Sequence, residues 1–130
     1  MNQRQNFSSG TVWEDIVGYS RAVRIGNTLE ISGTVAAGDN GVVGRGDFYV
    51  QTKFILEKIS NVLAAAGFSV NDVVRTRMFV TDISHWEAVG RAHGEFFRNV
   101  KPVTTMVEVS SLIENDYLVE IEVTAMREGF

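Results

Sequence analysis

The stretch Val119-Glu120-Ile121-Glu122-Val123 alternates apolar and acidic residues with a period of two, which is typical of a half-buried β-strand. Because successive side chains of a strand point to opposite faces, Glu120 and Glu122 should lie on one face of a sheet and the apolar side chains on the other. Burying two neighbouring carboxylates without compensation is unfavourable. We therefore expect them to meet cations, hydrogen-bond donors or a wet cleft.

Four other stretches show strand-like patterns. They are residues 19–25 and 28–35, separated by the two-residue hairpin signal Gly26-Asn27, and then residues 73–81 and 101–109. Residues 1–18 are predicted to form an irregular arm. Residues 36–46 are rich in glycine and are predicted to form a long loop, which either connects two elements or covers a ligand.

Two helices are predicted between these strands. Asp47 is a suitable N-cap for a helix that ends at Gly67, whose missing side chain suits a left-handed C-terminal position. Ser84 and Glu87 have the spacing of a capping box, which would start a second helix that ends near Val100, before the only proline. The apolar side of this second helix is formed by Trp86, Val89, His93, Phe96 and Phe97. The order ββ-α-β-α-ββ favours one α+β domain over residues 1–130, with both helices on one face of a single sheet.

The sheet face that the helices leave open should carry both charges and large apolar side chains. On strand 73–81 the alternation predicts one side with Val74, Thr76, Met78 and Val80 and the other side with Arg75, Arg77 and Phe79. Leu118 and Met126 share a face with the two glutamates. A freely solvated face rarely keeps such apolar residues together, so we expect another copy of the chain to cover it. The glutamates would then either form ion pairs with the arginines or act as a carboxylate couple in a site.

The composition excludes several classes of protein. The chain has 130 residues, of which 45% are hydrophobic, and is large enough to bury a core. Its net charge of -4 gives no basic footprint for nucleic acid, which is therefore a disfavoured partner. No apolar run is long enough to span a membrane, so no membrane partner is expected. The absence of cysteine and of a signal-like segment is compatible with a cytoplasmic location.

The motifs of several common active sites are absent from the sequence. The two histidines, His85 and His93, are eight residues apart and so lack the spacing of two ligands on one helical face; no metal is expected. His93 should be a packed, hydrogen-bonded side chain, with a role in a cleft or interface as the alternative, and His85 should be solvated. No Gly-x-Ser-x-Gly elbow occurs, which leaves a serine hydrolase without support.

Several short segments resemble those of the reactive-intermediate deaminase family (RidA, also called YjgF-like) and occur in the family's order. They are Tyr19-Ser20-Arg21-Ala22-Val23, Ile31-Ser32-Gly33, Ala65-Ala66-Gly67, Val73-Val74-Arg75-Thr76, Phe79-Val80-Thr81-Asp82 and Val119-Glu120-Ile121-Glu122. The resemblance extends over nearly the whole chain. It implies a chorismate-mutase-like fold, in which a mixed six-stranded sheet is backed by two helices, and a homotrimer with clefts between its subunits. It also implies hydrolysis of reactive enamines and imines to ketoacids and ammonia without a cofactor.

The resemblance further implies the residues of the cleft. The family uses a tyrosine, a glycine and a glutamate, which correspond to Tyr19, Gly33 and Glu120, and an arginine, in whose place this chain has Thr104. The family's arginine pairs with the substrate carboxylate, and one neutral hydroxyl cannot replace that charge, so the usual deamination should be severely weakened. Arg21 stands where the family more often has glutamine. It either restores an anion contact or points to the other face of the sheet.

Three functions are compatible with these features. The first is a homotrimer that binds a small molecule between subunits and acts as an enamine or imine deaminase of altered specificity. There Glu120 would activate water, Tyr19 would close the pocket and Thr104 would bind the ligand, while Glu122 is structural. The second is a non-catalytic binding or regulatory trimer. The third, an RNA-cleaving or translation-inhibiting protein, is least favoured because the chain is acidic and shows no basic aromatic surface.

Overall fold

Six strands form one mixed sheet in the computed structural model, which describes residues 3–129. These strands are β1 (Arg4–Phe7), β2 (Ala22–Ile25), β3 (Thr28–Thr34), β6 (Val73–Val80), β7 (Val103–Glu108) and β8 (Val119–Met126), while β4 (Ala37–Gly38) and β5 (Gly41–Val42) form a separate hairpin. Across the sheet the order is β1-β2-β3-β8-β6-β7. The β6–β7 pair is parallel and the other neighbours are antiparallel.

Two main helices cover one face of this sheet. These two helices are α2 (Phe48–Ala65) and α3 (Trp86–Phe97). A shorter helix, α1 (Val12–Val17), precedes them, and short 3-10 turns span Val70–Asp72 and Ile83–His85. Apolar side chains of α2 and α3 form a buried core with the apolar side of β8. The predicted α+β fold, with a mixed six-stranded sheet and two helices on one face, is confirmed. Among residues 3–129, no helix combines the length and the apolar character that crossing a membrane requires.

The N-terminal segment differs from the prediction of an irregular arm. Its residues 4–7 form strand β1, which pairs with β2 and supplies the sixth strand, and residues 12–17 form α1. The polar sequence of β1 lacks the alternation that marks a half-buried strand, because it is an exposed edge strand. The helix α1 ends at Gly18 in a left-handed conformation, and the buried carboxylate of Glu14 accepts hydrogen bonds from the backbone and the hydroxyl of Ser9. Met1 and Asn2 lie outside the described residues.

The predicted start of α2 is confirmed, whereas that of α3 is wrong. The Val50 N–H donates to Asp47 Oδ1 at 3.0 Å, which caps α2, and Gly67 just beyond its end has a φ of 86°. The predicted capping box does not form, because the Ser84 N–H donates to Asp82 instead and the chain first makes a 3-10 turn. The helix α3 therefore begins at Trp86, which lies 54% exposed rather than on the buried side.

The strand β6 contains a bulge that the alternation did not predict. Val73 pairs with Ala125 and Arg75 with Thr124, so an advance of two residues along β6 corresponds to one residue along β8. Val73 is therefore buried, and Val74 is exposed instead of facing the core as predicted. Beyond the bulge the prediction is confirmed, since Thr76, Met78 and Val80 are buried.

The glycine-rich loop is fastened to its surroundings. Lys58 on α2 donates from Nζ to the carbonyl oxygen of Ala37 at 3.0 Å, and Gln51 donates from Nε2 to that of Gly44 at 3.2 Å. An ion pair between Arg45 and Asp116 holds its far end. The loop thus lies against α2 and the segment before β8, rather than extending freely into solvent.

Candidate functional site

The carboxyl group of Glu120 lies against the backbone of Gly33. Glu120 stands on β8 opposite Phe79 of β6, on the sheet face away from the helices. A Cβ atom added at Gly33 would stand 2.9 Å from Cδ of Glu120, closer than real side chains approach. This part of β3 is irregular, because its register with β8 shifts between Ile31 and Thr34. The glycine therefore provides the space that the carboxyl group occupies.

The environment of Glu120 favours its protonated form. Burial raises the pKa of the carboxyl group, the neighbouring charge of Glu122 raises it further, and the charge of Arg21 acts in the opposite direction. General acids and bases in active sites are often carboxyl groups whose pKa is raised by burial and by a neighbouring negative charge. Glu120 shares these two features.

Arg21 lies beside the same glycine. It precedes β2, and its Nη1 donates to the carbonyl oxygen of Gly33 at 3.0 Å and to Oγ1 of Thr34 at 3.2 Å. These bonds hold the guanidinium at the end of β3, where its charge partly offsets the raised pKa of Glu120. No hydrogen bond joins Arg21 to Glu120 within residues 3–129. The guanidinium can therefore offer its other N–H groups to an anion.

Lys58 adds a second positive charge that sequence reasoning missed. Burial lowers the pKa of its ammonium group, the charge of Arg21 lowers it further, and Asp39 opposes this effect. Its Nζ donates a hydrogen bond to the carbonyl oxygen of Ala37, which holds the ammonium group shortly beyond the end of β3. The only signal in the sequence is a lysine beside the apolar stripe of α2, and such lysines are usually solvated. The structure thus places Arg21 and Lys58 near each other beyond the end of β3, with Asp39 acting on Lys58 and Glu120 acted on by Arg21.

Tyr19 lies at the start of the same segment. Its N–H donates to the carbonyl oxygen of Glu14 at 3.0 Å, which ties it to the end of α1. The side chain is 36% exposed and, as far as the described residues go, makes no hydrogen bond to Glu120 or Arg21. It is two residues from Arg21 in the chain, and its ring remains accessible to a ligand.

Thr104 lies on the opposite side of the sheet from Glu120. Its Oγ1 stands 2.9 Å from Oγ1 of Thr76, whose side chain is buried and faces the helices. The same Thr76 oxygen stands 2.9 Å from Nε2 of His93 on α3. Within one chain the structure therefore brings together Arg21, Gly33 and Glu120 but not Thr104. The prediction that His93 is packed and hydrogen-bonded is confirmed, since its ring also lies 4.6 Å from that of Phe97.

The second glutamate has a structural partner. Nη1 of Arg77 stands 3.4 Å from Oε1 of Glu122, across the β6–β8 pair. The predicted ion pairing is thus confirmed for Glu122, whereas Glu120 pairs with neither Arg75 nor Arg77 in the described part of the chain. A cavity of about 300 Å³ lies on this open face and is lined by Arg75, Arg77, Ser20 and Ser32 among others. Among residues 3–129, no group of three or more acidic or histidine side chains could hold a metal ion.

The chain is similar to known proteins over most of its length. The family model described as Endoribonuclease L-PSP matches residues 12–127. The chain is 39% identical over 119 residues to an uncharacterised protein of Streptomyces coelicolor, covering 92% of this chain and 89% of that protein. It is 33% identical over 104 residues to the 3-aminoacrylate deaminase RutC of Acinetobacter baylyi, covering 79% of this chain and 82% of that protein.

Solved structures show the same fold. The crystal structure of Rv2704 from Mycobacterium tuberculosis, a member of the YjgF/YER057c/UK114 family, superimposes with a TM-score of 0.87 at 46% identity and covers 96% of this chain and 100% of that one. A protein of the Rid family from Yersinia pestis superimposes with a TM-score of 0.83 at 30% identity, covering 96% and 100%. Since the family model and these relatives each span most of the sequence, the chain belongs to the YjgF-like, or RidA, family.

Proposed function

We propose that this chain forms a homotrimer that binds a small metabolite between subunits and hydrolyses an enamine or imine there. The observation that carries this proposal is the Glu120 carboxyl group, which lies on Gly33 beside Arg21 and has a raised pKa. The name of the similar Acinetobacter protein, 3-aminoacrylate deaminase, describes the same class of reaction. We place this proposed activity in the cytoplasm.

Glu120 is suited to every proton transfer that the hydrolysis requires. Its neutral carboxyl group protonates the enamine carbon and so gives an iminium ion. The carboxylate then takes a proton from a water molecule as the water oxygen adds to the C=N carbon. Glu120 returns this proton to nitrogen and takes the hydroxyl proton as ammonia leaves, which regenerates the carboxyl group and yields a carbonyl product.

Arg21 supplies the anion contact in this proposal. The family's arginine corresponds to Thr104, which is neutral and faces the helices. Arg21 carries a charge that acts on Glu120 and lies beside Gly33, and a substrate carboxylate could accept hydrogen bonds from it. Lys58 increases the positive potential there. The substrate would thus be held from a different direction than in relatives that keep the arginine, which is why we propose an altered specificity.

The trimer would complete the cleft. The open sheet face bears charges together with Phe79 and the exposed Val103 and Val107 on the edge strand β7. Covering this face with a second copy would remove apolar surface from water. Light scattering at micromolar concentration should give three times the 14.4 kDa mass of the chain, and a monomer would contradict this part of the proposal.

A non-catalytic binding trimer is the second candidate, and the neutral Thr104 favours it. One assay separates the two. An enamine such as 3-aminoacrylate or 2-aminoacrylate is generated in situ, and ammonia release is followed with the wild type and with Glu120→Gln. We expect the substitution to lower the rate by a factor of about 10² to 10⁴, as for other acid–base groups. Glu122→Gln, on the same strand and face, is the matched control. Equal ammonia release with and without protein would exclude deamination of these substrates.

A further inference from the structure

Thr104 is one end of a chain of hydrogen bonds that crosses from α3 to the edge of the sheet. Nε2 of His93 stands 2.9 Å from Oγ1 of Thr76, which stands 2.9 Å from Oγ1 of Thr104, which in turn stands 3.2 Å from the carbonyl oxygen of Pro102. Thr76 is fully buried, whereas Thr104 is exposed on β7. The chain therefore links a half-buried imidazole to a hydroxyl group that solvent and ligands can reach.

The number of protons on these groups decides which of them donates and which accepts along this chain of hydrogen bonds. Each hydroxyl group has one proton, so Thr76 can donate to only one of its two neighbours. If Nε2 of His93 carries a proton, it donates to Thr76, Thr76 donates to Thr104, and Thr104 donates to Pro102, so that all three contacts are hydrogen bonds. If Nε2 accepts, Thr76 donates to His93 and Thr104 must donate to Thr76. The contact between Thr104 and Pro102 is then lost.

The imidazole ring is compatible with the same direction. When Nε2 carries the proton of a neutral ring, Nδ1 is left as an acceptor, which water at the half-exposed ring can meet. Burial lowers the pKa of His93, so the ring is neutral at neutral pH, and a protonated ring would donate from Nε2 as well. The chain of donors thus runs from His93 to Pro102.

We infer that His93, acting through Thr76, holds Thr104 as a hydrogen-bond acceptor, and that the ligand group which meets Thr104 is a donor such as an amide, amino or hydroxyl group. The Thr104 proton is committed to Pro102 and one bond from Thr76 is accepted, which leaves a lone pair of Oγ1 for the ligand. A carboxylate has no proton to donate and is rejected there. A cavity of about 310 Å³ lies beside the two ends of these hydrogen bonds and is lined by His93, Gly94, Phe97, Arg98, Lys101 and Pro102.

A donor group at Thr104 defines a substrate class for the proposed function, and this part of the inference rests on that function. Where the family's arginine would bind a carboxylate, this chain would select an uncharged donor group. A donor group would form one hydrogen bond with Thr104 that a carboxylate cannot form with the same lone pair. The direction of the hydrogen bonds from His93 to Pro102 depends only on the folded protein and can be measured without a substrate.

The first experiment determines the tautomer of His93 by ¹⁵N NMR of the ring. The chain has two histidines, so His85→Gln leaves one set of signals and assigns it. We expect a single Nε2–H tautomer at neutral pH in the wild type and in Thr76→Ser, which keeps the hydroxyl group. In Thr76→Val, which removes the acceptor, both tautomers should appear. An Nδ1–H tautomer or a mixture in the wild type would overturn the direction of the chain.

The second experiment compares two probes of the same size, pyruvamide and pyruvate. Each is titrated into the labelled protein while the amide and methyl signals of Thr104 are followed. We expect pyruvamide to shift these signals and Thr104→Val to weaken its binding by about tenfold, the ratio that one hydrogen bond provides, with Thr104→Ser retaining it. A larger effect of pyruvate at Thr104, or no effect of either probe there, would overturn the ligand part of the inference. Absence of deaminase activity from the wild type in the ammonia-release assay would instead overturn the proposed function.

Discussion

Glu120 and Gly33 are in direct contact across the β3–β8 pair, and the contact leaves no space for a side chain at position 33. The contact holds the carboxyl group close to the carbonyl oxygen that accepts a hydrogen bond from Arg21. One glycine thus determines where the acidic group of the candidate site lies and how near it comes to the cation. The predictions below follow from this arrangement and from the hydrogen bonds of His93.

Gly33→Ala should displace Glu120 and abolish most of the proposed activity. The added Cβ would stand 2.9 Å from Cδ of the glutamate, so the flexible end of this side chain must move, and the free energy of unfolding should change little. Urea unfolding and ammonia release measure the two effects. Gly90→Ala on α3 is the control, because its Cβ meets nothing within 4 Å and alanine favours a helix. Full activity of Gly33→Ala would show that the position of Glu120 is unimportant.

Glu120→Gln should stabilise the protein at neutral pH while it removes the proposed activity. Because the pKa of Glu120 is raised in the folded state, the folded chain binds more protons than the unfolded chain between the usual glutamate value and the raised value. Stability therefore falls as the pH rises through that window, and the charged carboxylate is the unfavourable form above it. Unfolding curves from pH 4 to 8 should show a smaller decrease for Glu120→Gln than for the wild type. Glu122→Gln, which breaks only an exposed ion pair, should change the free energy of unfolding by less than about 1 kcal/mol.

Arg21→Gln should weaken the binding of anionic substrates. The guanidinium lies beside Glu120, and a hydrogen bond to a charged group contributes about 1.5–3 kcal/mol, so KM for a carboxylate-bearing enamine should rise by roughly 10- to 100-fold. Arg75→Gln on the open face serves as the control and should leave KM unchanged. An unchanged KM in Arg21→Gln would mean that another group, such as Lys58, holds the anion.

His93→Gln should remove a part of the acid sensitivity of the fold. Burial lowers the pKa of His93 below the usual value of about 6.5, so the unfolded chain binds more protons as the pH falls. The stability contributed by the neutral ring is present above this value and decreases from about pH 6.5 down to the folded pKa. Thermal unfolding between pH 5 and 8 should show a shallower slope in His93→Gln than in the wild type. Equal slopes for His93→Gln and the wild type would contradict the prediction.

Much of the fold follows from local alternation, whereas the site depends on distant contacts. The period of two on β8 placed Glu120 and Glu122 on one face, and the hydrogen-bonded register confirms it. The same rule failed at Val74, because a bulge adds one residue that no local pattern marks. It also failed for β1, whose polar side chains are exposed on both faces and leave no apolar signal.

The contacts of the site join residues that are far apart in the chain. The bond between Arg21 and Gly33 depends on where the segment before β2 crosses the end of β3, and that crossing has no sequence motif. Likewise, Thr76 meets His93 and Thr104 only because α3 lies over β6 and β7 pairs beside it. Resemblance to a family could name position 104. It could not reveal which side of the sheet its hydroxyl group faces.

The parallel pairing of β6 and β7 has a consequence for how such proteins can diversify. The register matches Thr76 with Thr104 and Arg77 with Thr105, so these side chains share faces in pairs. A strand that slips by one residue turns every side chain to the other face. Gaining or losing one residue in the short link between α3 and β7 would therefore move the hydroxyl group of Thr104 from the imidazole side to the side of Arg77 and Glu122. The length of this link, as much as the identity of any residue in it, selects which surface of the sheet carries the strand's polar group.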